Sequence, residues 1–197
     1  KPIGIPKTSL SFQEAIEYTN MIYSEYNSEY FNNNLYNCET CSFRLPTELE
    51  WEFASRDCRS DFNQYLFSSC DDKYDYPTQI IANISCEYAN YAGVGCDDNP
   101  ALKFVGEYNG TNSPLELATS PAGLFDMSGN AAEWVEQNRF PDKDMCRGGS
   151  YIDDENSIRT TSYKTYNSSD ITLETIGFRI VISADEAIEG IKSSLGK

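Results

Sequence analysis

Apolar positions along this chain fall into helical spacing at three places and into short strand-like runs at three others. Phe12, Ala15, Ile16, Thr19 and Tyr23 recur at i, i+3, i+4, i+7 and i+11, one face of an amphipathic helix. Ser11-x-x-Glu14 opens that helix as a capping box, in which each side chain satisfies the other residue's backbone N–H. Thr47-x-x-Glu50 repeats the device directly after Pro46, and predicts a second helix with Leu49, Phe53 and Ala54 on its inner side. A third box, Ser183-x-x-Glu186, predicts a helical tail over 183–197 with a narrow face of Ala184, Ala187, Ile188 and Ile191. Strands are expected over Lys103–Tyr108, Cys146–Ile152 and Gly177–Ser183.

Between Asp57 and about Leu117 neither period persists, and the sequence is rich in Asn, Asp, Gly and Tyr. An irregular stretch of that length is uncommon in a compact domain unless disulfides or a bound metal staple it. Four of the chain's seven cysteines (Cys58, Cys70, Cys86, Cys96) lie inside it, with Cys38, Cys41 and Cys146 outside. Such usage points to an oxidising compartment. Six cysteines can make three disulfides in fifteen connectivities, leaving one thiol over. The alternative is a zinc site seeded by Cys38-Glu-Thr-Cys41, but no second Cys-x-x-Cys supplies the remaining ligands of a tetrahedral site.

Composition narrows the function classes. The formal charge is −16, from 31 acidic against 15 basic residues, which argues against nucleic acid as a partner. It suits calcium, a basic partner, or simply a soluble acidic surface. Histidine is absent, which removes Ser-His-Asp and Cys-His nucleophile systems in their usual form. No run of apolar residues is long enough to span a membrane. The 197 residues suit one domain over 1–197, with no repeat and no linker. The start, Lys1-Pro2-Ile3, reads as a processed or excised product.

Four motifs then follow in order. They are Arg44-Leu-Pro-Thr-Glu-Leu-Glu-Trp51-Glu-Phe-Ala-Ser-Arg56, Gly123-Leu-Phe-Asp126-Met-Ser-Gly129-Asn-Ala131-Ala-Glu133-Trp134, Arg147-Gly-Gly-Ser150 and Gly177-Phe-Arg179. This string resembles the formylglycine-generating (sulfatase-modifying) enzyme family, whose domain is a variant of the C-type lectin fold. The resemblance runs from about Ser9 to Ile182. It implies an α+β fold, irregular and loop-rich, with two or three helices around small antiparallel sheets. The first motif reads as architectural, with Trp51 and Phe53 in the core and Arg44 and Glu48 tying a loop to a helix end. Family members carry a longer lead-in before the helix that Ser11 opens, so an uncovered sheet edge is expected near the N-terminus.

The family's enzymes oxidise through two nearby cysteines between the Gly-Gly-Ser and Gly-Phe-Arg landmarks. Ser150 to Gly177 contains no cysteine, and Ile158 and Tyr163 stand at the positions counted from Gly148. Cys146, just before the landmark, is expected to be half of a disulfide. The missing histidines also remove the histidine-ligated iron of some relatives. The resemblance thus implies a scaffold without its enzyme chemistry.

The same resemblance implies structural calcium at the second motif. The side chains of Asp126 and Glu133 and the carbonyls of Gly129 and Ala131 would be ligands, and calcium takes six to eight oxygens. The alternative is an ordinary Asp-initiated turn with Glu133 exposed. A second family site would begin at Asn90 and Tyr91 and be completed by Asp97 or Asp98, at a spacing that departs from the pattern. Between Ser150 and Asp170 the composition is that of a contact surface, where Tyr gives rigid area and Ser, Thr and Asn give adaptable hydrogen bonds. Variable ligand-binding proteins of this fold place their diversified residues in this part. Tyr151, Asn156, Arg159, Tyr163, Tyr166 and Asn167 are the candidate contact face. Two alternatives stand beside it, a polar solvated loop and, for Arg159, a structural salt bridge. Asn83, Asn109 and Asn167 fit the glycosylation pattern.

The expected protein is a secreted or cell-surface, calcium-stabilised, non-catalytic module that binds protein or glycan. One alternative is a divergent oxidase of the family acting on a sulfatase cysteine through a relocated thiol. Another is a subunit of an extracellular filament or surface complex, pairing with like or unlike chains through the N-terminal edge.

Overall fold

Both of the first two capping boxes form. Ser11 N–H donates to Glu14 Oε2 at 2.8 Å and Glu14 N–H to Ser11 Oγ at 3.1 Å, opening α1 (Phe12–Tyr26). Thr47 N–H donates to Glu50 Oε2 at 2.8 Å and Glu50 N–H to Thr47 Oγ1 at 3.2 Å, around the start of α2 (Glu48–Arg56). The structure is a computed structural model that describes residues 4–26, 42–56, 84–93, 96, 98–109, 119–120, 122–137, 139–167 and 171–183. The predicted tail helix lies outside them, as do Asp97, Cys38, Cys41, Cys58, Cys70 and the side chain of Tyr23.

On α1 the expected face is the inner one. Ala15 and Thr19 are buried, and Phe12 and Ile16 pack against the core beside them. On α2 it is not. Glu48, Trp51 and Ser55 are buried, while Leu49 and Phe53 are 74% and 58% exposed. Two residues along a helix is roughly 200° around it, so once Trp51 takes the inner side both neighbours must face out. Phe53 is therefore not a core residue. Ala54 does pack inward, against the cluster that holds Trp51.

The main sheet has the order β4-β3-β2-β5, from Tyr163–Asn167, Lys143–Arg147, Ala132–Val135 and Ile176–Gly177. β4, β3 and β2 are antiparallel, whereas β5 runs parallel to β2, so this sheet is mixed rather than purely antiparallel. A second, antiparallel pair joins β1 (Ser42–Arg44) to β6 (Val181–Ser183). The expected strand at Lys103–Tyr108 is instead a turn centred on Val105 and Gly106, the latter at φ +70°. The strand expected to run on to Ile152 stops at Arg147, because Gly148 and Gly149 adopt φ of +86° and +65°. The described part of the Asp57–Leu117 stretch holds only turns, bends and a bridge residue, in line with its sequence.

Strand alternation sends opposite faces of this sheet to two cores. Ala132, Trp134, Cys146 and Ile176 meet Ala15 of α1, with Phe12 edge-on to Trp134 at 6.0 Å. Val135 and Met145 meet Trp51 of α2 and Met127. A third cluster, Ile84, Ala89, Tyr91 and Ile158, packs beside the Cys86–Cys96 disulfide. Cys146 is a free, buried thiol, which corrects the expectation that it is disulfide-bonded. Its place on the inward face of β3, beneath Trp134, accounts for that.

The chain's own first residues pass close to β5. Ser9 N–H donates to Leu173 O at 3.2 Å, and Lys7 O stands 2.6 Å from where a side chain on Gly177 would begin, over the face of the strand. No described helix is long and apolar enough to cross a membrane.

Candidate functional site

The four sequence motifs meet at Trp51. Its indole N–H donates to Glu133 Oε2 at 2.6 Å. Arg179 donates from Nε to the same oxygen at 2.5 Å and from Nη2 to Oε1 at 2.6 Å, and also reaches Phe125 O at 3.2 Å. On the ring's other contact, the Arg147 guanidinium lies 5.3 Å from the indole, the geometry of a cation–π pair. Arg147 is 1% exposed, pairs with Glu52, and donates to Thr161 O and Ser162 O. Gly148 is required here, since a Cβ would stand 3.1 Å from the Trp51 ring. Arg44 holds Glu50 through both oxygens at 2.6 Å, and these bonds pull the Glu50 carboxyl down to about 2. Glu48 instead faces Arg139, at 2.9 Å. Each carboxylate of this junction is matched by a cation, so the arrangement holds segments together.

Beside the junction lies a cavity of about 400 Å³, whose wall includes Asp126, Ala131, Glu133 and Arg179 among apolar side chains such as Phe125 and Phe178. Asp126 sits at φ +58° and accepts Gly106 N–H at 2.8 Å. Burial pushes its carboxyl up to about 6, the Gly106 bond opposing and Glu133 adding to the rise. The wall carries two acidic residues, Asp126 and Glu133, and two basic ones, Arg179 and Lys7. Of the expected calcium ligands, Asp126, Ala131 and Glu133 are on it, and both Glu133 oxygens are already held by Trp51 and Arg179. That leaves fewer than the six to eight oxygens calcium takes. The alternative of an exposed Glu133 fails, because that residue is 8% exposed. Gly129 is not on this wall. Its N–H donates to Gly148 O at 2.8 Å, and Asn90 O lies 2.3 Å from where its Cβ would be.

Asn90, Tyr91 and Asp98 are described, while the alternative Asp97 lies outside the described residues. Asn90 is buried with its amide donating to Ala101 O at 2.9 Å and Asn130 Oδ1 at 3.0 Å. Tyr91 donates its hydroxyl to Ile84 O at 2.7 Å, and Asp98 is exposed. Among the described residues no three acidic, cysteine or histidine side chains converge on a point. Sequence reasoning missed Asn130. Its carboxamide bonds Asn90 and both backbone groups of Lys103, and its N–H donates to Asn90 O at 2.7 Å, joining two loops. The available signal was an Asn after Gly129, a residue type that tolerates the φ of +66° found there.

The six contact candidates are split by the pleat. β4 pairs Tyr163 with Arg147 and Asn167 with Lys143 on one face, and Tyr166 with Asp144 on the other. Tyr166 turns inward, edge-on to Trp134 at 5.7 Å. Tyr163, 42% exposed, packs against Phe140 at 6.0 Å and the Arg139 guanidinium at 5.7 Å, two residues the sequence did not flag. Asn156 is exposed, while Tyr151 and Arg159 are half-buried in turns before β4. Arg159 makes no salt bridge among the described residues, and its Nε is buried without a hydrogen-bond partner.

Ile158 and Tyr163, the two positions that the resemblance sets against the family's cysteines, differ in their surroundings. Ile158 is fully buried in the third cluster, and Tyr163 is on an edge strand. The thiol nearest in sequence, Cys146, is 1% exposed, and burial pushes it up to about 12.

Comparison with known proteins places the whole arrangement. The family described as the sulfatase-modifying factor enzyme 1-like domain matches residues 3–184. Among solved structures, Treponema denticola variable protein 1 is 19% identical with a TM-score of 0.57, covering 92% of this chain and 72% of that one. PvdO from Pseudomonas aeruginosa is 17% identical with a TM-score of 0.60, over 89% of this chain and 61% of that one. CarF is 21% identical with a TM-score of 0.59, over 90% and 67%. These likenesses carry the fold. Among curated proteins nothing matches.

Proposed function

Since the chain belongs to the sulfatase-modifying factor enzyme 1-like domain family, we propose that it keeps the family scaffold as a calcium-stabilised, non-catalytic module that binds protein or glycan outside the cell. One observation carries the non-catalytic part. The position that would need an accessible cysteine is Ile158, sealed at 0% exposure, and the nearby thiol is held neutral by burial. The binding part is supported by Tyr163 with Arg139 and Phe140, an exposed group of the residue types that dominate hot spots. The Cys86–Cys96 disulfide supports an oxidising compartment. Function is grafted onto folds site by site, so the family alone does not set the activity.

Two measurements test this reading. Screening the immobilised chain against glycans and extracellular proteins should give a ligand whose affinity drops at least several-fold in Tyr163→Ala. A ligand indifferent to Tyr163, Tyr151 and Arg159 overturns the assigned face. For calcium, a ligand at about 100 Kd that binds only the folded state adds roughly 2.7 kcal/mol. Melting should therefore shift upward with calcium, and Asp126→Ala should abolish the shift. Equal melting with calcium and with chelator removes calcium from the proposal.

A further inference from the structure

We propose that the protein forms a two-fold dimer by pairing β4 of one copy antiparallel with β4 of a second. The main sheet ends in β5 on one side and in β4 on the other. Beyond β4, among the described residues, no backbone group is bonded to the strand's outer side. Edge strands left in this state recruit other strands unless proline, a bulge or an uncompensated charge blunts them. β4 has none of these. It reads Tyr-Lys-Thr-Tyr-Asn, is registered with β3 over its whole length, and its one charge, Lys164, is ion-paired with Asp153.

Two features select a second copy as the occupant. The first is self-complementarity. Antiparallel pairing about Thr165 sets Thr165 against Thr165, Lys164 against Tyr166 and Tyr163 against Asn167. No like charges oppose each other, and Thr–Thr and mixed polar–aromatic pairs are favourable cross-strand neighbours. An isologous two-fold contact needs that property. The second is charge. Two chains of −16 repel over most approaches. Yet from residue 139 to 167, leaving out Arg147, which is buried against Glu52, four basic residues (Arg139, Lys143, Arg159 and Lys164) stand against five carboxylates from Asp142 to Glu155. The open edge therefore lies in a segment of low net charge. In such a dimer Tyr163 of each copy adjoins Asn167 of the other, so the contact groups of the two copies merge across the axis.

Sedimentation over a wide concentration range tests this without a ligand or calcium, so its outcome is separate from that of the binding role. The wild-type mass should rise from one copy to two. Thr165→Lys and Thr165→Glu each place like charges across the axis and should raise the dissociation constant about fivefold, the scale of a cross-strand charge pair. Mixing the two variants should restore dimerisation, which only a contact centred on residue 165 can do. Amide exchange of residues 163–167 in the wild type should slow as concentration rises, and residues 4–10 should not respond. A chain that stays monomeric overturns the proposal, as does a dimer equally strong in both variants. So does protection of 163–167 that appears only when a foreign protein or peptide is added.

Discussion

The junction around Trp51 and the strip from Tyr151 to Asn167 touch at Arg147 and differ in almost every physical respect. In the junction, Glu133 pairs with Arg179 and the Trp51 indole, and Glu52 pairs with Arg147, which also bonds backbone oxygens. In the strip, an arginine stands without an ion pair among the described residues, a tyrosine is 42% exposed, and the strand edge is open. A buried ion pair adds little net stability, but removing one member leaves a charge stranded. The junction therefore resists change at each residue, whereas the strip can vary without loss of the fold.

The largest expected effect follows directly. Arg179→Met strands Glu133 and should lower unfolding free energy by about 3–5 kcal/mol in a denaturant titration. Tyr163→Ala, in the strip, should change it by under about 1 kcal/mol, as surface substitutions do. Similar losses at both sites would erase the distinction. Next in size is a test inside the strip. Ile158→Ala should cost about 2–5 kcal/mol, because it hollows the cluster with Ile84, Ala89 and Tyr91. A loss no greater than that of Tyr163→Ala would mean that the first cysteine position is not sealed.

The junction was far more legible in sequence than the strip. Capping boxes are local, since two residues three apart fix both bonds, and Ser11–Glu14 and Thr47–Glu50 form as read. The motif string gave the α+β fold because its landmark residues bond each other across the chain. Leu49 and Phe53 misled because apolar spacing cannot say which of two helix faces the sheet will take, and Trp51 decided it. Asn130 and Arg139 were invisible for the opposite reason, as their partners lie in distant segments. Within the strip, composition found tyrosines but not strand β4, whose pleat sends Tyr163 and Tyr166 to opposite faces.

Smaller effects refine the same contrast. Cys146, pushed up to about 12 by burial, should resist alkylation at pH 8 in the native chain and react only in denaturant. Rapid native labelling would place a reactive thiol next to the strip. Smallest is the rim of the junction. Arg44 holds Glu50 near 2, below its ordinary 4.5, so the carboxylate's contribution is present above 4.5 and lost as pH falls toward 2. Glu50→Gln should lower stability by under about 1 kcal/mol at neutral pH, because the side chain is 43% exposed. The difference from wild type should vanish in acid, and a gap that persists at pH 2 would show that Glu50 acts through something other than its charge.

The central claim is that the scaffold is kept without the oxidase. Its most direct test is aerobic incubation of the chain with copper and a cysteine-containing sulfatase peptide, followed by mass measurement of the peptide. The expected result is no conversion of cysteine to formylglycine above a blank without protein. Conversion above that blank, abolished by replacing any one of the seven cysteines, would contradict it.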